Sequence, residues 1–181
     1  RLNKDYYFFF IKHFIFTALA ISIMIIISLI KSEILIKLVL PIFIVSYVLL
    51  ALVPIIGIEV KGAKRWLSLY FFNLQPIEIL KPFFILMTVK ILTYKNFQNS
   101  HAKYIISFLL LCSIIILLID QPDLGQSILL TGSWIATVFV SGVSLVYIAI
   151  FLTIFLTLIS SLLFFLPEKF GYILNRLISF F

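Results

Sequence analysis

From Leu124 to Pro167 the chain carries no charged residue, and the same holds from Leu38 to Ile58 and from Tyr104 to Ile119. Runs of that length cannot be hidden in the core of a soluble domain of this size. In a bilayer every backbone polar group must be satisfied internally, which leaves helices or closed barrels. A barrel strand alternates apolar and polar residues, whereas these runs are continuous. The sequence, 64% hydrophobic and 12% charged, therefore reads as all-α: a polytopic transmembrane helical bundle of about six spans, each near the length that a bilayer requires. Residues 1–181 read as a single integral-membrane domain.

The spans are expected at roughly 11–30, 38–56, 76–93, 104–119, 126–142 and 146–166, after an aromatic-rich interfacial lead-in, Arg1 to Phe10. Lys31 to Lys37 reads as a tight turn, Pro41 as lying in the first turn of the second span, and residues 57–75 as a charged loop. Tyr94 to Lys103 reads as a polar linker containing a solvated His101, with His13 as an interfacial polar tip. Glu168 to Phe181 reads as an amphipathic tail. Cys112 is alone and mid-span, so it reads as a small hydrophobe and excludes a disulfide framework. The chain opens on Arg1 with no signal-peptide pattern and is expected to be a fragment of a longer protein.

Six spans put the N-terminus, the 57–75 segment, the 120–125 turn and the tail on one side of the membrane, X. The Tyr94–Lys103 linker falls on the other, Y. Side X carries more Lys and Arg, so the positive-inside rule by itself places X in the cytoplasm. The net charge of +7 is spread over span ends, which suits anionic lipid or an anionic substrate and not nucleic acid.

Three motifs carry possible chemistry, and all three lie on side X. Lys61, Lys64, Arg65 and Trp66 form either an interfacial anchor or a clamp for phosphate or pyrophosphate. Gln75-Pro76-Ile77-Glu78 opens a helix, with Lys81 three residues after Glu78. Glu78 either caps the helix or pairs with Lys81. Pro82 removes the donor for the Glu78 carbonyl, so a distorted polar helix start facing the interior is expected. Asp120 and Asp123 flank Gln121-Pro122 in a helix-breaking turn. Each either caps the next helix or offers a carboxylate to a cation or to the basic cluster. No Gly-rich nucleotide loop, zinc motif or nucleophile elbow is present.

Lys61-Gly-Ala-Lys-Arg-Trp66, Gln75-Pro-Ile-Glu78 with Lys81, and Gln121-Pro-Asp-Leu-Gly125 resemble, in order and spacing, the SEDS family (shape, elongation, division and sporulation), the FtsW/RodA membrane glycosyltransferases. The lead-in Arg1-Leu-x-x-Asp5 is more similar to the division-type branch, FtsW. The resemblance implies part of a ten-span fold, lacking the first helix and the last three. It places X on the extracytoplasmic side of the bacterial cytoplasmic (inner) membrane, against the charge count. It implies polymerisation of lipid II, the undecaprenyl-pyrophosphate disaccharide-pentapeptide, with a catalytic Asp expected beyond Phe181. It further implies a class B penicillin-binding transpeptidase and divisome proteins as partners. Lys61, Arg65, Trp66, Glu78, Lys81 and Asp123 are then the candidate substrate-binding residues. Glu78 and Asp123 would orient the cations or hold a divalent cation, the one cofactor in view. The apolar spans would form a groove for the polyprenyl tail. Ile77 and Gln126 depart from the family pattern, where a small residue and Thr are usual. The alternatives are a lipid II flippase, which needs a polar path across to Y, and a non-catalytic division scaffold.

Overall fold

The computed structural model describes residues 6–60, 63–69, 72–94, 100–121 and 123–165. In chain order the elements are α1 (Tyr6–Leu29), α2 (Ser32–Ile56), β1 (Ile58–Val60), β2 (Ala63–Leu69), β3 (Phe72–Leu74), α3 (Pro76–Thr93), α4 (Ser100–Asp120), α5 (Leu124–Val140) and α6 (Leu145–Phe165). Six helices thus stand where six spans are expected. Phe9–Leu29, Ser32–Ile56 and His101–Asp120 are long and apolar enough to cross a membrane. Helix α3 carries Glu78, Lys81 and Lys90, and the apolar stretches Gly125–Val140 and Leu145–Thr157 are shorter.

The chain divides into two compact units, Arg1–Leu38 and Val39–Phe181. In the first, α1 is apolar on all sides and exposes Phe9, Phe14, Met24 and Ile26, the pattern of a helix solvated by lipid. In the second, the core is built on α3, α4 and α5. Ile77, Leu80 and Phe84 of α3 meet Leu111, Ile114 and Leu118 of α4 and Leu130, Trp134 and Val138 of α5, all fully buried. Helix α6 adds Phe151, whose ring lies 4.8 Å from Phe108 and 5.6 Å, edge-on, from Trp134. The Trp134 indole donates to the buried Ser107 hydroxyl at 3.2 Å. Lipid is as apolar as leucine, so packing and such interhelical bonds hold membrane helices together.

Four local expectations are corrected. The 57–75 segment is not simply a loop: its residues 58–60, 63–69 and 72–74 form a three-stranded antiparallel sheet in the order β1-β2-β3. Ala63 and Leu67 are buried and Lys64 and Ser68 exposed, but half-buried Arg65 and Trp66 and exposed Leu69 break the period of two, so the strand is hard to read in so charged a segment. Gly57 makes the passage from α2 into β1, where a Cβ would lie 2.3 Å from the Val53 carbonyl oxygen. Second, the Lys31–Lys37 turn shrinks to its first residue. The Lys31 carbonyl accepts from Ile34 and Leu35, α2 starts at Ser32, and Glu33 in its first turn complements the helix dipole. Pro41 consequently sits inside α2, as does Pro54. Third, His101 belongs to the first turn of α4 and its ring lies 5.3 Å from that of Tyr147. Fourth, α3 continues through Pro82. Its inward stripe is Ile77, Leu80, Phe84, Thr88 and Leu92, so Glu78 and Lys81 lie on its flank and Glu78 is exposed. The expected amphipathic tail, Glu168 to Phe181, lies outside the described residues.

Candidate functional site

The site grows from three local features that meet at one end of the second unit. The first is an irregularity in the sheet. Ile58 pairs with Trp66 and Glu59 with Lys64, so Arg65 is the extra residue of a bulge. A bulge re-aims a side chain. Arg65 Nε donates to the backbone carbonyl of Gln121 at 3.2 Å and lies 3.7 Å from Asp123 Oδ2.

The second feature is the turn between α4 and α5. The amides of Gln121 and Asp123 both donate to the Leu118 carbonyl, at 3.2 and 3.0 Å. Asp123 occupies the N-cap position of α5, but its side chain makes no capping bond. Its buried carboxylate turns to Arg65 instead, which corrects the capping alternative. Asp120 is exposed at the end of α4.

Gln121 opens one of the three motifs but has no role in the sequence reading. Its side-chain amide donates to the Leu50 carbonyl of α2 at 3.1 Å, and the residue is 2% exposed. The reason is written four residues after Leu50. Pro54 has no N–H, so the Leu50 carbonyl lacks its helical donor. An unpaired carbonyl in an apolar setting is unfavourable, and Gln121 supplies the missing donor. Pro54 and Gln121 together are the signal that could have found this contact.

The third feature is the start of α3. Gln75 is its N-cap without a side-chain bond, and Pro76 takes the first helical position. Glu78 does not cap: its Oε2 accepts from Lys81 Nζ at 2.7 Å. The Lys81 side chain is mostly covered and that of Glu78 about half exposed, so this pair contributes little to stability. Gln126, on α5, donates from Nε2 to Glu78 Oε1 at 3.0 Å. Sequence reading noted Gln126 only as a departure from a pattern.

Of the six candidate residues, four are drawn together: Arg65 with Asp123, and Glu78 with Lys81. Both pairs are anchored on the first turn of α5, through Asp123 and Gln126. Trp66 is half-buried opposite Ile58 and, among the described residues, makes no hydrogen bond to the cluster. Lys61 lies outside the described residues. Lys64 is exposed opposite Glu59. The carboxylates of Glu78 and Asp123 are each engaged by a cation, and among the described residues no three His, Cys, Asp or Glu side chains gather as a metal site. Ile77, the other departure, is 1% exposed in the core, where its bulk is used.

What such an arrangement can do is hold an anion. Two cations of different kinds, a planar guanidinium and a mobile ammonium, stand where α3 and α5 begin. Helix N-termini favour negative charge.

The chain is similar to known proteins over its whole length. The FtsW/RodA/SpoVE family, described as cell cycle proteins, matches residues 1–181. A relative from Riesia pediculicola, named a probable peptidoglycan glycosyltransferase FtsW, is 31% identical over 180 residues, which is 99% of this chain and 47% of that protein. One of the same name from Aliivibrio salmonicida is 32% identical over 147 residues, 80% of this chain and 37% of its own. Among solved structures, the Thermus thermophilus rod shape determining protein RodA, as its D255A mutant, matches with TM-score 0.60 at 30% identity, covering 66% of this chain and 40% of that one. A chain from work on the structural coordination of polymerization and crosslinking by a peptidoglycan synthase complex matches with TM-score 0.73 at 26% identity, covering 91% of this chain and 49% of that one. The chain thus spans half or less of the relatives it matches. It is a multi-pass helical membrane protein, and it belongs to the FtsW/RodA/SpoVE family of cell cycle proteins.

Proposed function

We propose that the protein is a peptidoglycan glycosyltransferase of the FtsW type, acting on lipid II at the outer face of the bacterial cytoplasmic membrane. In the reaction a sugar hydroxyl attacks the anomeric carbon of a lipid-linked glycan. The bond to the pyrophosphate breaks, and undecaprenyl pyrophosphate leaves. Such a reaction needs a base for the hydroxyl and positive charge for the leaving group. This chain's share is the second need. Arg65 and Lys81 face the pyrophosphate, Asp123 and Glu78 orient them, and Lys61 and Trp66 belong to the same segment. A class B penicillin-binding transpeptidase and other divisome proteins are its partners.

One observation carries the reading: two cations from separate elements, Arg65 of β2 and Lys81 of α3, are both held on the first turn of α5. The flippase alternative is less well supported. Ser127 and Thr131 descend α5 from the cluster, but their hydroxyls are turned onto their own helix carbonyls. The cleft towards the far ends of α3 and α5, about 470 Å³, is lined by Val89, Leu92 and Val140 and by Thr93, Thr137 and Ser141, whose hydroxyls are likewise turned onto their own helix carbonyls.

Purified residues 1–181 in nanodiscs are expected to bind lipid II but to form no glycan strands. Both site carboxylates are already engaged by cations. The check is a lipid II titration followed by gel analysis of the product. Glycan strands would place the base within this chain, and absence of binding would end the reading. For topology, single cysteines at Ser68 and Ser100 in a Cys112→Ala background are to be probed in intact cells with an impermeant thiol reagent. Labelling is expected at 68 and not at 100; the reverse pattern contradicts the outer-face placement.

A further inference from the structure

Gln126 makes a contact that stability alone does not explain. Its Nε2 donates to Glu78 Oε1, while Lys81 holds Glu78 Oε2, so both oxygens of one carboxylate are occupied, one from each of two helices. The other end of the same amide, Gln126 Oε1, is buried and has no hydrogen-bond partner among the described residues. Turning the amide over offers no escape. It would set a carbonyl oxygen against the Glu78 carboxylate and bury the NH2 group instead. An unpaired buried acceptor is unfavourable, and an apolar side chain of similar shape would avoid it. What the glutamine provides is a fixed position for Glu78, and through it for Lys81. Glu78 is half-exposed and would otherwise be free to turn into solvent.

We propose that Gln126 is a positioning residue: it locks the Glu78 carboxylate so that the Lys81 ammonium is presented, already oriented, to the pyrophosphate of a lipid-linked substrate. This rests on the pyrophosphate reading of the site given above. An ammonium has three donors, and among the described residues one of them goes to Glu78. The others can meet an anion without Lys81 having to be ordered on binding. Immobilising a long side chain in advance is worth about threefold to tenfold in affinity.

The test uses residues 1–181 in neutral-lipid nanodiscs titrated with undecaprenyl pyrophosphate. Four proteins are compared: wild type, Gln126→Met, Glu78→Gln and the double variant. Melting of each is recorded alongside. Gln126→Met is expected to bind about threefold to tenfold more weakly and to melt no lower than wild type, because the orphaned acceptor is gone. In the Glu78→Gln background the same change should alter affinity less than about twofold, the non-additivity expected of residues acting in one chain of contacts. Wild-type affinity in Gln126→Met overturns the proposal. So does an affinity loss accompanied by a fall in melting temperature, which would mark a structural tie. If the wild-type chain does not bind undecaprenyl pyrophosphate at all, the pyrophosphate reading fails and this proposal with it. Binding by wild type with an unaffected Gln126→Met defeats the positioning role alone.

Discussion

Lys81→Met is expected to weaken undecaprenyl pyrophosphate binding about thirtyfold while leaving the melting temperature almost unchanged. Truncating one partner of a charged, hydrogen-bonded contact costs about 2–5 kcal/mol in binding. The lower end applies here because the site is partly open, with Glu78 beside Lys81 about half exposed, and 2 kcal/mol is about thirtyfold. The fold should tolerate the change. The Lys81–Glu78 pair is an i,i+3 pair at the edge of α3, of the kind that adds only about 0.2–0.5 kcal/mol. Glu78 retains Gln126, and methionine fills much of the volume that the lysine stem occupied. The measurement is a titration in nanodiscs paired with a melting curve. Wild-type affinity in a well-folded Lys81→Met protein removes Lys81 from the site and leaves it as a snorkelling cation.

Arg65 and Asp123 should behave in the opposite way, with stability as the first casualty. Their side chains are 21% and 11% exposed, and they tie the sheet to the α4–α5 turn. Breaking a fully buried pair by removing one partner costs about 3–5 kcal/mol. With partial exposure and a 3.7 Å separation, about 2 kcal/mol is the expected loss for Asp123→Ala or Arg65→Met. Arg65→Met should be the more harmful, since it also removes the bond to the Gln121 carbonyl and leaves a buried carboxylate unpaired. The double variant should recover more than half of the summed loss, because no unpaired charge remains. Melting of the four proteins decides the point. Strictly additive losses would show that the two side chains do not act on each other.

These expectations draw on contacts that differ in how far the sequence announces them. Glu78 and Lys81 are three residues apart on a helix that begins with Gln75-Pro76, so pairing stands in the sequence as one of two readings, beside capping. The Arg65 contacts could not be read from the sequence. They span 56 residues to Gln121 and depend on a bulge that the charge-rich segment did not suggest. Gln126 reaches Glu78 across 48 residues, and Gln121 reaches Leu50 across 71. Trp66 adjoins Arg65 in sequence, yet the bulge aims Arg65 at the α4–α5 turn while Trp66 stays opposite Ile58 and, among the described residues, makes no hydrogen bond to the cluster.

The sequence by itself determined that the chain is a helical membrane bundle, where most of its helices lie, and that its charged motifs share one end. Each of these follows from the free energy of placing a side chain or a peptide group in hydrocarbon, which is a property of the local segment. Only the tertiary structure decided which carboxylate meets which cation, that residues 58–60, 63–69 and 72–74 form strands, and that Gln121 completes the helix left open by Pro54. Lipid solvates every apolar helix face about equally well, so hydrophobicity does not choose neighbours inside the membrane. That choice falls to close packing and to a few polar contacts between distant residues, and these exist only once α3, α4 and α5 have come together.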